Sequence, residues 1–277
     1  MTAIADVLVL GAGPAGSTTA LLAARAGARV VVLERSRFPR RKVCGEFVSA
    51  EGVEVLKRIG VFDELRVHGA PTMDRFRMTD TRGRSIEAPL PDLGTAGRAA
   101  LGVSRARLDE TLARVAADAG ADVHERVTAL APVVEDGRVV GVRFRRAGRS
   151  GDETVRARVV VAADGRRSCL VRALHPENGE PKIAGPRSWY GLECHLEGPY
   201  APLDGAVELH LFEGGYLGLS HVEGGRINLA LVVTKADDRN RFQYALLSIV
   251  QPEGSSIKTE DLDQAGQNAR TQIGQVL

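Results

Sequence analysis

Apolar runs broken by glycines set the pattern of the first 34 residues. Residues 5–10 read as a buried parallel strand. Residues 11–16 are a glycine turn, and 15–26 an alanine- and leucine-rich helix closed by Gly27. Residues 29–33 form a second buried strand that ends at Glu34. Strand, helix and strand together make a βαβ unit of about 30 residues.

Downstream the pattern changes several times. Residues 35–48 read as a long polar loop, and 50–59 as a helix with Gly60 behind it. Residues 74–79 and 84–88 pair as a hairpin across Arg82 and Gly83. Ser104 is a good N-cap for a helix running to about Ala119, where Gly120 stops it. Residues 123–130 and 138–144 alternate around Asp136-Gly137, a hairpin turn, and 155–162 form another apolar strand. From 187 to 233 the pattern is all strand, with segments 189–196, 207–212, 216–220 and 227–233 set apart by glycine-rich turns. That is the signature of a separate antiparallel sheet.

The 277 residues suffice for one large or two moderate domains with a real core. A hydrophobic content of 44% with 26% charged residues is that of a soluble globular chain. A net charge of +2 supplies no field for nucleic acid or an anionic membrane, so no nucleic-acid partner is expected. The cluster Arg40, Arg41, Lys42 reads as a solvated loop. Cys44, Cys169 and Cys194 lie far apart, without metal-ligand spacing, which suits a reducing cytosol and a cytoplasmic protein. No apolar stretch approaches the roughly 20 residues of a membrane span. The composition shifts near the end: every glutamine lies in 243–277, and Arg270 alone among the arginines lies beyond Arg241. Residues 236–277 are therefore an atypical tail, read either as a surface helix with a polar end or as a product of truncation, frameshift or fusion.

The chemistry concentrates at the first turn. Gly11-Ala12-Gly13-Pro14-Ala15-Gly16 follows a strand and opens a helix, the context a dinucleotide-binding turn needs. Gly11 permits the tight turn, Gly13 lets backbone approach a pyrophosphate, and Gly16 lets helix and strand pack closely. The diphosphate then rests on free N–H groups at the positive helix end. Pro14 loses an N–H that would lack a partner there anyway. Glu34 stands 18 residues after Gly16, near the spacing of the acid that accepts ribose hydroxyls. These residues suit FAD or NAD, disfavour NADP, and do not separate the first two.

Further motifs do. The run 5–16, then Glu34-Arg35, then Phe38-Pro39-Arg40-Arg41-Lys42-Val43-Cys44-Gly45-Glu46 resemble the flavoprotein monooxygenase and geranylgeranyl reductase superfamily, in its reductase-like branch. Val103-Ser104-Arg105 resembles its flavin-contacting arginine, and 159–165 with Ser168 and Arg172 its Asp-Gly motif. The resemblance implies an α/β fold. A Rossmann-like, para-hydroxybenzoate-hydroxylase-like FAD-binding domain would use residues 1–70 and 100–175. An antiparallel β substrate domain would use 71–99 and 176–235. It further implies an FAD-dependent oxidoreductase that takes NAD(P)H as co-substrate and hydroxylates or reduces a small organic substrate. The rival readings are an NAD-dependent dehydrogenase and a truncated, non-catalytic nucleotide-binding fragment. By the resemblance, Ala15 and Gly16 face the FAD pyrophosphate and Glu34, next to Arg35, holds the adenosine ribose. Lys42, Cys44 and Gly45 lie on the loop towards the isoalloxazine, and Arg105 contacts the phosphate region. Val127 meets the adenine through its backbone, and Asp164 and Gly165 brace the FAD side of the cleft.

The superfamily's later Gly-Asp motif has no match; Asp263-Gln264-Ala265-Gly266 is its nearest echo. The aromatic-Pro signature of lipid-reducing members is also missing. Other chemistries find no support. The six histidines show no paired-ligand spacing, so no metal is expected. Cys194 and His195 are strand neighbours facing opposite ways. There is no Gly-x-Ser-x-Gly elbow and no phosphate loop ending in Gly-Lys-Ser/Thr. No side chain stands out as a catalytic acid or base.

Overall fold

The structure, a computed structural model, describes residues 4–91, 99–175, 189–197 and 203–234. In chain order its first elements are β1 (Ala5–Leu10), α1 (Pro14–Arg25), β2 (Val30–Leu33), β3 (Phe47–Val48), α2 (Ala50–Arg58) and α3 (Phe62–Val67). Next come β4 (Thr72–Met73), β5 (Arg75–Thr79), β6 (Ser85–Pro89), β7 (Ala100–Gly102), α4 (Arg105–Asp118) and β8 (Asp122–His124). Then follow β9 (Val127–Glu135), β10 (Arg138–Arg146), β11 (Glu153–Ala162) and α5 (Cys169–Leu174). The last are β12 (Trp189–Leu196), β13 (Ala206–Phe212), β14 (Gly215–His221) and β15 (Ile227–Thr234). The expected tail, 236–277, and the Gly-Asp echo at 263–266 lie outside the described residues.

The chain divides into two compact units: Met1–Arg41 with Ala106–Lys182, and Lys42–Arg105 with Ile183–Leu277. Residues 42–70 and 100–105, grouped above with the dinucleotide fold, are compact with the second unit.

Unit one holds a six-stranded sheet in the order β8-β2-β1-β11-β10-β9. Its first four strands run parallel, and β10 lies antiparallel to both neighbours. The β1 run is valine- and leucine-rich because both faces are covered; Leu8, Val9 and Leu10 are fully buried. Leu8, Leu10, Val142, Phe144 and Leu170 belong to one core cluster. The β9–β10 hairpin turns at Asp136 (φ 49°) and Gly137 (φ 73°), both left-handed as a two-residue turn of this hand requires. Arg126 (φ 59°) separates β8 from β9, where the sequence predicts one strand.

Unit two holds a six-stranded sheet, β12-β15-β14-β13-β5-β6, and a small sheet, β3-β7-β4. The expected antiparallel strands form, but β5 joins β13 in parallel, so the sheet is mixed. Local alternation cannot reveal that pairing, because β5 and β13 are brought together by a long connection. Leu217, Leu229 and Leu231 form its core with Leu196. Four further elements were not expected: β3 lies inside the predicted polar loop, α3 follows Gly60 at once, and β4 and β7 complete the small sheet. Among the described residues no helix is long and apolar enough to cross a membrane.

Candidate functional site

Parallel register brings three distant motifs to one place in unit one. Leu10 at the end of β1 pairs with Leu33 of β2 and Ala162 of β11. The glycine turn, Glu34 and Asp164 therefore share the carboxyl ends of three adjacent parallel strands, where ligands bind in open α/β sheets. Gly11 is left-handed (φ 86°), and a Cβ on it would lie 2.6 Å from the Ala163 carbonyl oxygen. A Cβ on Gly16 would stand 1.8 Å from the Gly11 carbonyl oxygen and 3.2 Å from Val9. The close-packing role assigned to Gly16 thus has direct geometry. Gly13 is the extended N-cap of α1 and brings no side-chain cap. Ala15 is exposed there.

Glu34 is buried and turned towards the glycine loop. Its Oε2 accepts from the Ala12 N–H at 2.8 Å and its Oε1 from the Ser36 N–H at 2.8 Å. Arg40 approaches it at 3.6 Å and is held at 2.9 Å by Asp109, which is wholly buried. This corrects the reading of Arg40 as a solvated loop cation: its side chain is only 12% exposed and packs over Phe38. The guanidinium offsets the cost of burying two carboxylates. Arg35, next to Glu34, is exposed. Val127 buries its side chain in the core and donates its N–H to the Glu34 carbonyl at 2.8 Å, which takes the amide half of the expected adenine contact.

The Asp-Gly motif follows β11. Asp164 Oδ2 accepts from the Cys169 N–H at 2.9 Å, while its Oδ1 is buried without a hydrogen-bond partner. A buried carboxylate oxygen in that state calls for a donor. Gly165 is left-handed (φ 83°). Burial, then the Asp164 charge, pushes the Cys169 thiol up to about 11, so it is a protonated, packed thiol at neutral pH.

In unit two, Lys42 and Gly45 are exposed and Cys44 is half-buried. The Cys44 carbonyl accepts from Asn228 Nδ2 at 3.1 Å, and the Gly45 carbonyl from Ser220 Oγ at 3.0 Å. Glu46 is left-handed (φ 51°) and buried. Its Oε1 accepts from the Arg105 N–H at 2.7 Å and its Oε2 faces His195 Nε2 at 2.6 Å. Arg226 Nη1 lies 3.3 Å from the other nitrogen of that ring and donates through Nη2 to Glu223 at 3.0 Å. Glu223 in turn accepts from the Ser104 N–H at 2.9 Å and from its hydroxyl. Burial pushes the Glu223 carboxyl up, but the two Ser104 donors and the Arg226 cation outweigh it and hold it below the usual range. Arg105 thus opens α4 beside two carboxylates.

Among the described residues, Glu46, Glu193 and His195 are grouped closely enough to hold a metal ion. Arg226 argues against one. A guanidinium only donates, so the His195 Nδ1 beside it accepts, and the ring's proton sits on Nε2, pointing at Glu46 rather than free to ligate. Sequence reasoning missed Arg40, Asp109, Glu46, His195, Glu223 and Arg226. The one available signal was Glu46 within the Cys-Gly-Glu run.

Residues 4–193 match the FAD binding domain family. A menaquinone reductase of Mycolicibacterium smegmatis is 37% identical over 180 residues, which span 63% of this chain and 41% of that protein. Digeranylgeranylglycerophospholipid reductase 2 of Methanopyrus kandleri is 32% identical over 233 residues, spanning 82% of this chain and 54% of that protein. The chain thus spans about half the length of the curated relatives it matches. Among solved structures, a geranylgeranyl bacteriochlorophyll reductase-like protein from Thermoplasma acidophilum superposes with a TM-score of 0.68 at 26% identity, covering 86% of this chain and 59% of that one. The α/β fold expected from the resemblance is the one found.

Proposed function

The chain belongs to the FAD binding domain family, and from that premise we propose that it is the cofactor-holding part of an FAD-dependent oxidoreductase fed by NAD(P)H. The observation that carries the reading is the convergence of the Gly11–Gly16 turn, Glu34 and Asp164 at three parallel strand ends. The residues present fit the cofactor. An uncapped helix start offers amides to a diphosphate, and Gly11 and Gly16, where a Cβ would strike backbone, keep the turn packed tightly against its neighbours. A buried oxygen of Asp164 lacks a donor that a hydroxyl would supply.

Bound FAD would supply two-electron redox chemistry. The chain's own residues bind and orient. Backbone N–H groups of the turn hold the diphosphate, Glu34 accepts the adenosine ribose hydroxyls, and Gly13, Ala15 and Gly16 let the backbone come close. Asp164 and Gly165 brace the cofactor from β11. Lys42, Cys44, Gly45 and Arg105 serve the flavin side, and Arg35 and Val127 flank the adenosine. The domains in this reading follow the cofactor rather than compactness, with 42–70 and 100–105 serving the flavin. Reduction of the substrate is favoured over hydroxylation because the two relatives reported above, at 37% and 32% identity, are named as reductases.

The test is the visible spectrum of the purified chain, with FAD titrated in if it emerges colourless. A flavin band near about 450 nm is expected, since the chromophore belongs to the cofactor. NADH and NADPH consumption with and without oxygen then separates reductase from hydroxylase. Binding of NAD with no affinity for FAD would make the chain a dehydrogenase instead. Binding of neither would leave a non-catalytic fragment.

A further inference from the structure

We propose that Glu46, His195, Arg226 and Glu223 form a closed positioning ring. It holds the Cys44–Gly45–Glu46 turn and the Ser104 and Arg105 amides at the start of α4 in a single shape.

The donors and acceptors of the ring close on one another. Two buried carboxylates receive the donors. Glu46 takes the Arg105 N–H on one oxygen and His195 Nε2–H on the other. Glu223 takes the Ser104 N–H at 2.9 Å, the Ser104 hydroxyl, and Arg226 Nη2 at 3.0 Å. Arg226 then reaches His195 Nδ1 at 3.3 Å, which joins the two halves. A neutral His195 with its proton on Nε2 is the form that can accept from the guanidinium and donate to Glu46 at once. The exposure of the His195 and Glu46 side chains, 7% and 3%, makes each lost partner expensive.

The backbone it restrains would not hold itself. Glu46 adopts φ 51°, a left-handed conformation that a non-glycine residue keeps only when its surroundings over-determine it. The Glu46 N–H points to Cys44 Sγ at 3.4 Å, and its carbonyl accepts from the Val103 N–H at 3.1 Å. Ser220 and Asn228 grip the two preceding carbonyls. The ring's functional consequence rests on the reading above, in which Cys44, Gly45 and Arg105 serve the flavin. Its mechanical role does not.

The experiment compares the full chain with His195→Leu and His195→Gln. Glutamine offers an acceptor and a donor on one amide, so it can close the ring; leucine offers neither. Alkylation of Cys44 is followed by peptide mapping in the absence of FAD, with Cys169 as reference, and FAD affinity is measured separately. H195L is expected to raise Cys44 labelling about tenfold and to weaken FAD binding about tenfold, the size of one buried bond to a charged group. Cys169 labelling stays constant, and H195Q lies close to the parent. Should H195L fail to fold, Arg226→Ala, at a side chain 27% exposed, reads the same effect. Cys44 labelling unchanged in a folded variant overturns the ring. Faster Cys44 labelling with unaltered FAD affinity overturns its link to the cofactor. A parent chain that binds no FAD defeats the functional reading instead, and labelling alone then decides the ring.

Discussion

The strand ends of unit one and the ring of unit two both bury charged groups, and they leave opposite things open. In unit one the chain supplies backbone: a glycine turn, an uncapped helix start, and a carboxylate oxygen of Asp164 with no donor. In unit two the two ring carboxylates, Glu46 and Glu223, are each satisfied by named donors from within the unit. A region with unmet hydrogen-bonding capacity is built to receive something; a region that closes on itself is built to hold a shape. The first should therefore fail by losing its ligand, and the second by losing its geometry.

The largest effect is expected from Gly16→Ala. The new methyl would meet the Gly11 carbonyl oxygen at 1.8 Å, and neither that oxygen nor α1 can yield without opening the turn. We expect a stability loss of about 3 kcal/mol or more and no measurable FAD binding, read by thermal unfolding and by flavin fluorescence. Retention of FAD affinity would show that the turn does not hold the diphosphate.

Next comes Glu34→Ala. It leaves the buried Ala12 amide and the half-buried Ser36 amide without their acceptor and Arg40 facing Asp109 alone. A loss of about 1–3 kcal/mol in stability follows from the orphaned donors. FAD affinity should fall about 100-fold, two hydrogen bonds' worth, by equilibrium titration. Loss of stability with FAD affinity intact would mean that Glu34 only braces the turn.

Why these two sites differ in legibility is physical. The glycine turn, α1, β2 and Glu34 lie within 34 consecutive residues, and each declares itself through local periodicity or steric need. The Asp-Gly motif was found because it ends an apolar strand, though its nearness to Gly11 exists only through the β1–β11 register. The ring had no such signal. Glu46, Ser104, His195 and Glu223 lie on four separate stretches, and the reactive neighbour of His195 in sequence is Cys194, which faces the other way. Arg40 looked solvated because its partner Asp109 is 69 positions away on a helix whose charged residues mostly face water. The parallel β5–β13 pair escaped for the same reason: alternation names a strand and not its partner.

Glu223 offers a pH test of the ring. Its carboxyl is held below the ordinary value by Ser104 and Arg226 against the opposing effect of burial. A depressed folded value means that its stabilisation is present above the unfolded value, near about 4.3, and lost as pH falls through the folded one. Glu223→Gln should lower stability by about 1–2 kcal/mol at neutral pH. The gap between variant and parent should narrow below about pH 4.5, in urea unfolding at stepped pH. A gap that stays constant with pH would show that the ring does not depend on this charge.

The smallest effect concerns Asp164, and it tests the open site with an internal reporter. Burial is the first cause that raises the Cys169 thiol to about 11, and the charge and hydrogen bond of Asp164 come second. Asp164→Asn removes the charge and leaves the burial. The thiol should therefore fall only part of the way back and remain above an ordinary cysteine, so that Cys169 alkylation at pH 8 rises several-fold, not a hundredfold. FAD affinity should drop about three- to tenfold, because an amide can still present an oxygen to a hydroxyl but without its charge. In the proposed reading, saturating FAD in the parent would place a donor against the orphaned Oδ1 and draw charge density away from the thiol, so it should speed Cys169 labelling slightly, in the same direction as the substitution. Equal labelling in all three states would mean that Asp164 faces neither the thiol nor the cofactor, and the strand-end site would then rest on the glycine turn and Glu34 alone.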